Sequence, residues 1–412
     1  MKLKKRYIFF GLVVLLSPAL FIQSTKEQPQ INKEPIIYKA PQNPYLQKFL
    51  AEYDSAVRSQ VHKTPGAAIA IVKGDSVIFS EGFGIRSIKS GDSIDVNTVF
   101  RIGSVSKGVA AVLSGIMAQD SVINLDDEVA KHYDDFKLKD KTYTDSIKIK
   151  HILSQSTGLP YQAYTTMIEN GNSLDYMIEA LGGLDLIGPP GKYYSYQNVG
   201  YSVIERVLEN ASNQSFEELL SERLFKPIGM KTASSTYEEL LSMENIAMPH
   251  VRGKGTWYQR KISPNYYNTK AAGGVNASIS DMAEYLKALL GHKPDVVSQH
   301  ALTSIFEPQI RTYIRYKYFS KWPNAKKSWY GMGWRIVENG NDTVIYHGGY
   351  VNYYSSKIAL IPSEDIGICV LTNAPNKFVS TSIPMFLEIY DKYRDQINDW
   401  EQSQYYTVVA TR

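Results

Sequence analysis

The feature that most constrains this sequence is the way its hydrophobic period changes along the chain. Residues 67–72 and 76–83 are short runs rich in β-branched or aromatic residues, separated by Lys73-Gly74-Asp75, and read as a hairpin. Beyond Phe100 the period becomes helical. Val105, Val109, Val112, Leu113, Ile116 and Met117 form one stripe, and Val199, Val203, Ile204, Val207, Leu208 and Ala211 form another. After Tyr330 the alternation returns over residues 334–338, 343–346, 354–361 and 366–372, broken by Asn-Gly, Gly-Gly and Pro-Ser. An amphipathic helix over residues 44–61 precedes the first hairpin, and a second over about 382–393 follows the last strand. Strands at both ends and helices between them imply an α+β fold, an α/β sandwich: one antiparallel sheet assembled from both chain ends, flanked by helices, with a mainly helical subdomain inserted over about residues 104–325. The cleft between the two parts is where a site belongs.

Around this body the ends read differently. Lys2, Lys4, Lys5 and Arg6 precede an apolar run of sixteen residues, 7–22, which is the anatomy of a secretory signal. The run is shorter than the roughly 20 residues of a spanning helix, yet no clean Ala-x-Ala site follows, so a retained membrane anchor is the other reading. Residues 23–42 form a polar tether, 43–395 the folded domain and 396–412 a tail. The net charge of +4 equals the contribution of those first four cations, so the body is near neutral and calls for no nucleic-acid partner. Cys369 is the only cysteine, inside an apolar run, and excludes an internal disulfide and an N-terminal lipid anchor. Residues 313–329 interleave Tyr, Trp, Arg and Lys, a pattern open to a glycan or polyanion as well as to a solvated edge.

Three short motifs carry chemistry. Ser104-Val105-Ser106-Lys107 is the only Ser-x-x-Lys in the chain and opens the first helical stripe, so hydroxyl and amine lie on one face a turn apart. A lysine can take a serine proton only where burial or nearby positive charge lowers its pKa. Tyr196-Gln197-Asn198 stands just before the second stripe; a phenol can relay a proton, and an amide can hold both the lysine and a substrate carbonyl. His347-Gly348-Gly349 ends an apolar run bordering the cleft, where paired glycines allow close approach to the backbone.

In order and approximate separation these three motifs resemble the class C β-lactamase and penicillin-binding-protein superfamily of serine hydrolases. The segments around His151–Pro160, Leu224–Met230, Ala272-Gly273-Gly274 and Tyr330–Trp334 are similar to the same family, and the likeness spans roughly residues 43–392. The resemblance implies an acyl-enzyme on Ser104, a proton-handling pair of Lys107 and Tyr196, substrate contacts from Asn198, His347, Gly348 and Gly349, and an oxyanion hole from the backbone N–H groups of Ser104 and Tyr350. No cofactor or metal is implied. The partner is a small-molecule or peptide substrate, with peptidoglycan-derived peptides among the candidates, and residues 7–22 offer a membrane tether.

Where class C β-lactamases carry Lys-Thr-Gly, this chain has His347-Gly348-Gly349. A histidine of ordinary pKa near 6.5 is mostly neutral at pH 7, so the triplet attracts a substrate carboxylate less than lysine would. Weak or absent β-lactam turnover, with esterase or peptidase activity on less anionic acyl substrates ahead of it, is the resulting expectation. The seven histidines form no His-Glu-x-x-His, Ile102 stands where an α/β-hydrolase elbow needs glycine, and Gly331-x-Gly333 lacks the third glycine of a dinucleotide fingerprint. The remaining alternative is a catalytically idle envelope binding or sensor protein of the same fold.

Overall fold

The computed structural model describes residues 42–410 except 315–318, 320 and 323, and the side chains of 405–410 are outside the description. The segments read as signal or anchor and as tether therefore lie outside the described residues, apart from Gln42. No described helix is long and apolar enough to cross a membrane.

Eight strands make one antiparallel sheet. In spatial order they are Ser76–Gly84, Gly66–Lys73, Ile366–Thr372, Tyr354–Ile361, Asp342–Val351, Arg335–Asn339, Ala325–Tyr330 and Ile310–Thr312. The N-terminal hairpin closes through Gly74, at φ +60°, with Lys73 opposite Ser76. Its inner strand then pairs with the last strand of the chain, Ala67 opposite Thr372 and Lys73 opposite Ile366, so the sheet is joined from both ends as the hydrophobic period requires. The strand Ile310–Thr312 pairs with Ala325–Tyr330. The insertion consequently closes near residue 309 rather than 325; Val99–Arg101, just before it, pairs with its strand Asn276–Ser278, and His250–Gly253 pairs with Thr256–Gln259 inside it.

One face of the sheet is covered by the terminal helices. Asn43 caps Pro44–Val61, accepting from the amides of Tyr45 and Leu46, and the helix buries Phe49, Tyr53 and Val57. Phe49 meets Phe386 and Tyr390 edge to face at 5.9 and 5.4 Å, a geometry favoured by the ring quadrupole. The helix carrying those partners, Lys377–Asp391, starts earlier than its apolar period shows because Asn376 caps it, accepting from the Val379 amide, ahead of the interruption at Pro384. Residues expected as a tail continue as the helix Arg394–Ala410, docked through fully buried Ile397, whose carbonyl accepts from the Asn43 amide at 3.0 Å.

The other face meets the insertion around the helix Ser106–Gln119. Every residue from Ser106 to Met117 is buried, so this element is enclosed on all sides, a central helix rather than the one-sided stripe its sequence shows. Gly108 permits this closeness, since a Cβ there would stand 2.5 Å from the Trp334 ring. The capping boxes of Ser215 with Glu218 and of Ser278 with Asp281 are both formed, each satisfying amides that a helix start leaves open.

Candidate active site

The seam between sheet and insertion is built on a pinned turn. The Ile102 amide donates to Val275 at 3.0 Å, Gly103 turns the chain at φ +53°, and a single 3-10 turn, Gly103–Val105, leads into the helix Ser106–Gln119. Buried Ser106, only a spacer in the motif, fixes the turn: its hydroxyl donates to the Gly103 carbonyl at 2.6 Å and accepts from the Val275 amide at 3.0 Å. Ser104 is left partly exposed between buried neighbours at a helix N-terminus, where the helix dipole favours developing negative charge.

A turn later, Lys107 is fully buried. Its ammonium nitrogen donates to Asn198 Oδ1 at 2.7 Å and to the Ala272 carbonyl at 2.9 Å, and stands 4.7 Å from the centroid of the Tyr196 ring. Asn198 occupies the N-cap position of the helix Val199–Ser212, which also supplies Tyr201, whose hydroxyl donates to the Lys107 carbonyl at 2.6 Å. Burial, then the nearby Arg335 guanidinium, pushes the Lys107 pKa well below the ordinary lysine value. No carboxylate faces this amine among the bonds it makes, which is the condition for a populated neutral lysine. The structure thus gathers Tyr196 and Asn198 about the Lys107 amine, three residues on from Ser104.

From the sheet side comes the strand Asp342–Val351. It runs straight through the His-Gly-Gly triplet, with His347 opposite Ile358 and Gly349 opposite Ser356; two glycines hid this continuation from the sequence pattern. A Cβ on Gly349 would lie 2.0 Å from the Ile102 carbonyl oxygen, and one on Gly103 would lie 2.9 Å from the Tyr350 amide nitrogen. The two backbones therefore touch, and the Tyr350 backbone stands beside the turn that bears Ser104 while its ring is exposed.

His347 is placed differently from a substrate contact. It is 1% exposed, with Nδ1 3.1 Å from the Gly348 carbonyl and Nε2 3.1 Å from the Tyr330 hydroxyl. A carbonyl only accepts, so Nδ1 bears the proton and Nε2 accepts from Tyr330. Burial, reinforced by Arg335 and Lys107, drives its pKa well below 6.5. The ring is a neutral brace inside the wall, and what the triplet offers the cleft is its backbone.

Arg335 was not singled out by the sequence, although it directly follows Tyr330–Trp334. It is 7% exposed, and its guanidinium carbon lies 5.5 to 6.0 Å from the ring centroids of Tyr194, Tyr196 and Tyr330. Together with Tyr196 it borders a cavity of about 770 Å³ at the rim of the sheet.

A serine at a helix start, a buried lysine one turn on, and a Tyr-x-Asn loop facing a sheet strand define the fold and site of a serine hydrolase of the β-lactamase and penicillin-binding type. The family model described as Beta-lactamase matches residues 53–383, and the chain belongs to that family. Protein flp of Staphylococcus aureus strain MW2 is 25% identical over 364 residues, covering 84% of this chain and 70% of flp. The unguisins hydrolase ungD' of Aspergillus campestris is 26% identical over 333 residues, covering 77% of this chain but 59%, less than two thirds, of that protein. A solved octameric penicillin-binding protein homologue from Pyrococcus abyssi shares the fold with a TM-score of 0.68 at 24% identity, covering 84% of this chain and 78% of its own.

Proposed function

We propose that the chain is an exported hydrolase that forms an acyl-enzyme on Ser104 and cleaves an ester or amide, with esters and D-amino-acid peptides ahead of β-lactams. The observation that carries this reading is the state of Lys107: buried, depressed in pKa, and already donating to Asn198 and Ala272. A neutral amine with both hydrogens so engaged keeps its lone pair for a proton from Ser104, directly or through Tyr196. Ser104 Oγ then bonds to the acyl carbon, the carbonyl oxygen takes the negative charge, and the amides of Ser104 and Tyr350 receive it. As the tetrahedral adduct collapses, the bond to the leaving group breaks and the Lys107–Tyr196 pair returns the proton to it. A water deprotonated by the same pair attacks the acyl-enzyme, restoring Ser104 and releasing the acid. The two share one proton, so their role is joint.

Export rests on the basic and apolar N-terminal pattern. Hydrolysis is supported by the relative described as an unguisins hydrolase. The neutral His347 in place of a lysine supports the low rank given to β-lactams, and efficient cephalosporin hydrolysis by the purified protein overturns that ranking. A fluorophosphonate probe tests the core of the proposal. Labelling of the wild type and none of Ser104→Ala is the expected result; a wild type that stays unlabelled leaves the idle binding protein as the better reading.

A further inference from the structure

The loop Tyr196-Gln197-Asn198 is gripped from behind by a residue that the acylation chemistry does not use. The short helix Ile149–Leu153 ends in a turn where Gln155 sits at φ +58°. Its amide donates to the Ile152 carbonyl at 3.2 Å, and the Ser156 amide donates to the His151 carbonyl at 2.9 Å. This pair of bonds is the Schellman closure of a helix, and its left-handed position ordinarily takes glycine, because a Cβ is crowded there. Gln155 fills it at 1% exposure, so the chain carries backbone strain at a buried polar residue. The compensation lies in the side chain.

That side chain does what a neighbouring strand would do. Its Oε1 accepts from the Gln197 amide at 2.7 Å, and its Nε2 donates to the Gln197 carbonyl at 3.1 Å. A side-chain amide carries a donor and an acceptor side by side, as a peptide unit does; a carboxylate lacks the donor. The Ser195 amide donates to the Gln155 carbonyl at 2.8 Å, and the Gln162 amide to the Tyr196 carbonyl at 2.9 Å. Four backbone groups of residues 195–197 are therefore fixed from this side, three of them by Gln155. Gln197 lies between the two residues that meet the Lys107 amine, Tyr196 with its ring centroid at 4.7 Å and Asn198 with Oδ1 at 2.7 Å. A shift of the Gln197 backbone moves both.

Resting on the acylation of Ser104 proposed above, we propose that Gln155 is a positioning residue for that reaction: its side chain takes the place of a strand residue beside Gln197 and so sets Tyr196 and Asn198 about the Lys107 amine. Its action runs through the backbone it holds. Without the clamp the loop loosens and admits water to Lys107, whose charged form is disfavoured above all by burial. The amine then titrates closer to an ordinary lysine, and the Tyr196 relay loses its alignment.

Two variants of the full chain separate this role from a merely structural one. Gln155→Gly removes the side chain together with the backbone strain, and Gln155→Asn keeps an amide that falls one methylene short on a residue that tolerates the left-handed region. Tyr196, Tyr201, Arg335 and His347, titratable groups about the amine, stay the same in both. Thermal melts give the range in which each variant is folded, and kinetics on an activated ester are run there. The expected result is a kcat at least about tenfold lower with KM within about threefold. The acid limb of kcat/KM moves up by about one pH unit, since the base must be neutral to act. NMR titration of the Lys107 amine in Ser104→Ala reads the same midpoint without turnover, and adding Gln155→Gly raises it. A folded variant with kcat within about twofold of wild type and an unmoved Lys107 midpoint overturns the clamp, even where Ser104 labels normally. Loss of folding in both variants overturns it too, in favour of a purely structural glutamine. A wild type that stays unlabelled while Gln155→Gly still raises the Lys107 midpoint overturns the acylation reading and leaves the clamp standing.

Discussion

The two walls of the cleft treat charge in opposite ways. On the helical wall, Lys107 is stripped of its charge by burial, and beneath it Glu205, also buried, has a pKa raised to about 7 by the same cause. On the sheet wall Arg335 stands over Tyr194, Tyr196 and Tyr330. Acylation needs groups that exchange protons near neutrality, which burial provides; a guanidinium keeps its charge, and that of Arg335 adds to the depression of Lys107 and His347. The division means that the proton path and the field around it can be broken one at a time.

Lys107→Met is the largest break. It fills the volume of the lysine stem but removes the amine and leaves Asn198 Oδ1 and the Ala272 carbonyl without their donor. General-base loss of this kind costs on the order of 10³-fold in turnover, and steady-state kinetics on an activated ester measure it. A variant within tenfold of wild type removes Lys107 from the proton path.

Glu205 gives the next effect and probes the floor of the same wall. Its Oε1 accepts from the Ala271 amide at 2.9 Å, beside the Ala272 carbonyl that holds Lys107. The folded pKa of about 7 lies above the ordinary 4.5, so between those values the folded state binds more protons than the unfolded one. Stability falls as pH rises through that window, by roughly 3 kcal/mol in all. Urea denaturation at pH 5 and pH 8 measures the fall, and Glu205→Gln abolishes most of it. An unchanged slope in the variant assigns the pH dependence elsewhere.

The helical wall was largely legible in the sequence and the sheet wall was not. Ser104, Lys107, Tyr196 and Asn198 announce themselves because fixed spacing at a helix start leaves a pattern. Arg335 leaves none: it reaches the site from the far end of the chain's topology, through a strand whose only local signal is the alternation it shares with every other. Ser106 looked like a spacer, and its two hydrogen bonds are what pin the turn. His347 was legible as a position but not as a role, since the brace it makes to Tyr330 depends on the pairing of strands that sequence does not fix. The sheet joined from both chain ends followed from hydrophobic period, whereas the strand Ile310–Thr312, three residues long, was too short to show one.

The smallest effects come from the glycines where the walls meet, and they carry the finest test of the comparison. An alanine at 349 would drive its Cβ to 2.0 Å from the Ile102 carbonyl oxygen and 2.3 Å from Ser356 Oγ, in a place where the strand presses on the Ser104 turn. Backbone cannot step aside without moving Tyr350, so Gly349→Ala costs about 2 kcal/mol of stability and lowers kcat through the misplaced oxyanion donors. An alanine at 348 meets only the ends of two side chains, Lys357 Nζ at 2.6 Å and Tyr346 Oη at 2.8 Å. The flexible Lys357 can move while the buried Tyr346 shifts only slightly, so Gly348→Ala costs less stability than Gly349→Ala, about 1 kcal/mol, and leaves kcat close to wild type. Adjacent glycines then report on different faces of the sheet: thermal melts rank 349 below 348, and kcat falls at 349. Equal kcat losses at both positions deny that the 349 side of the strand alone presses on the Ser104 turn.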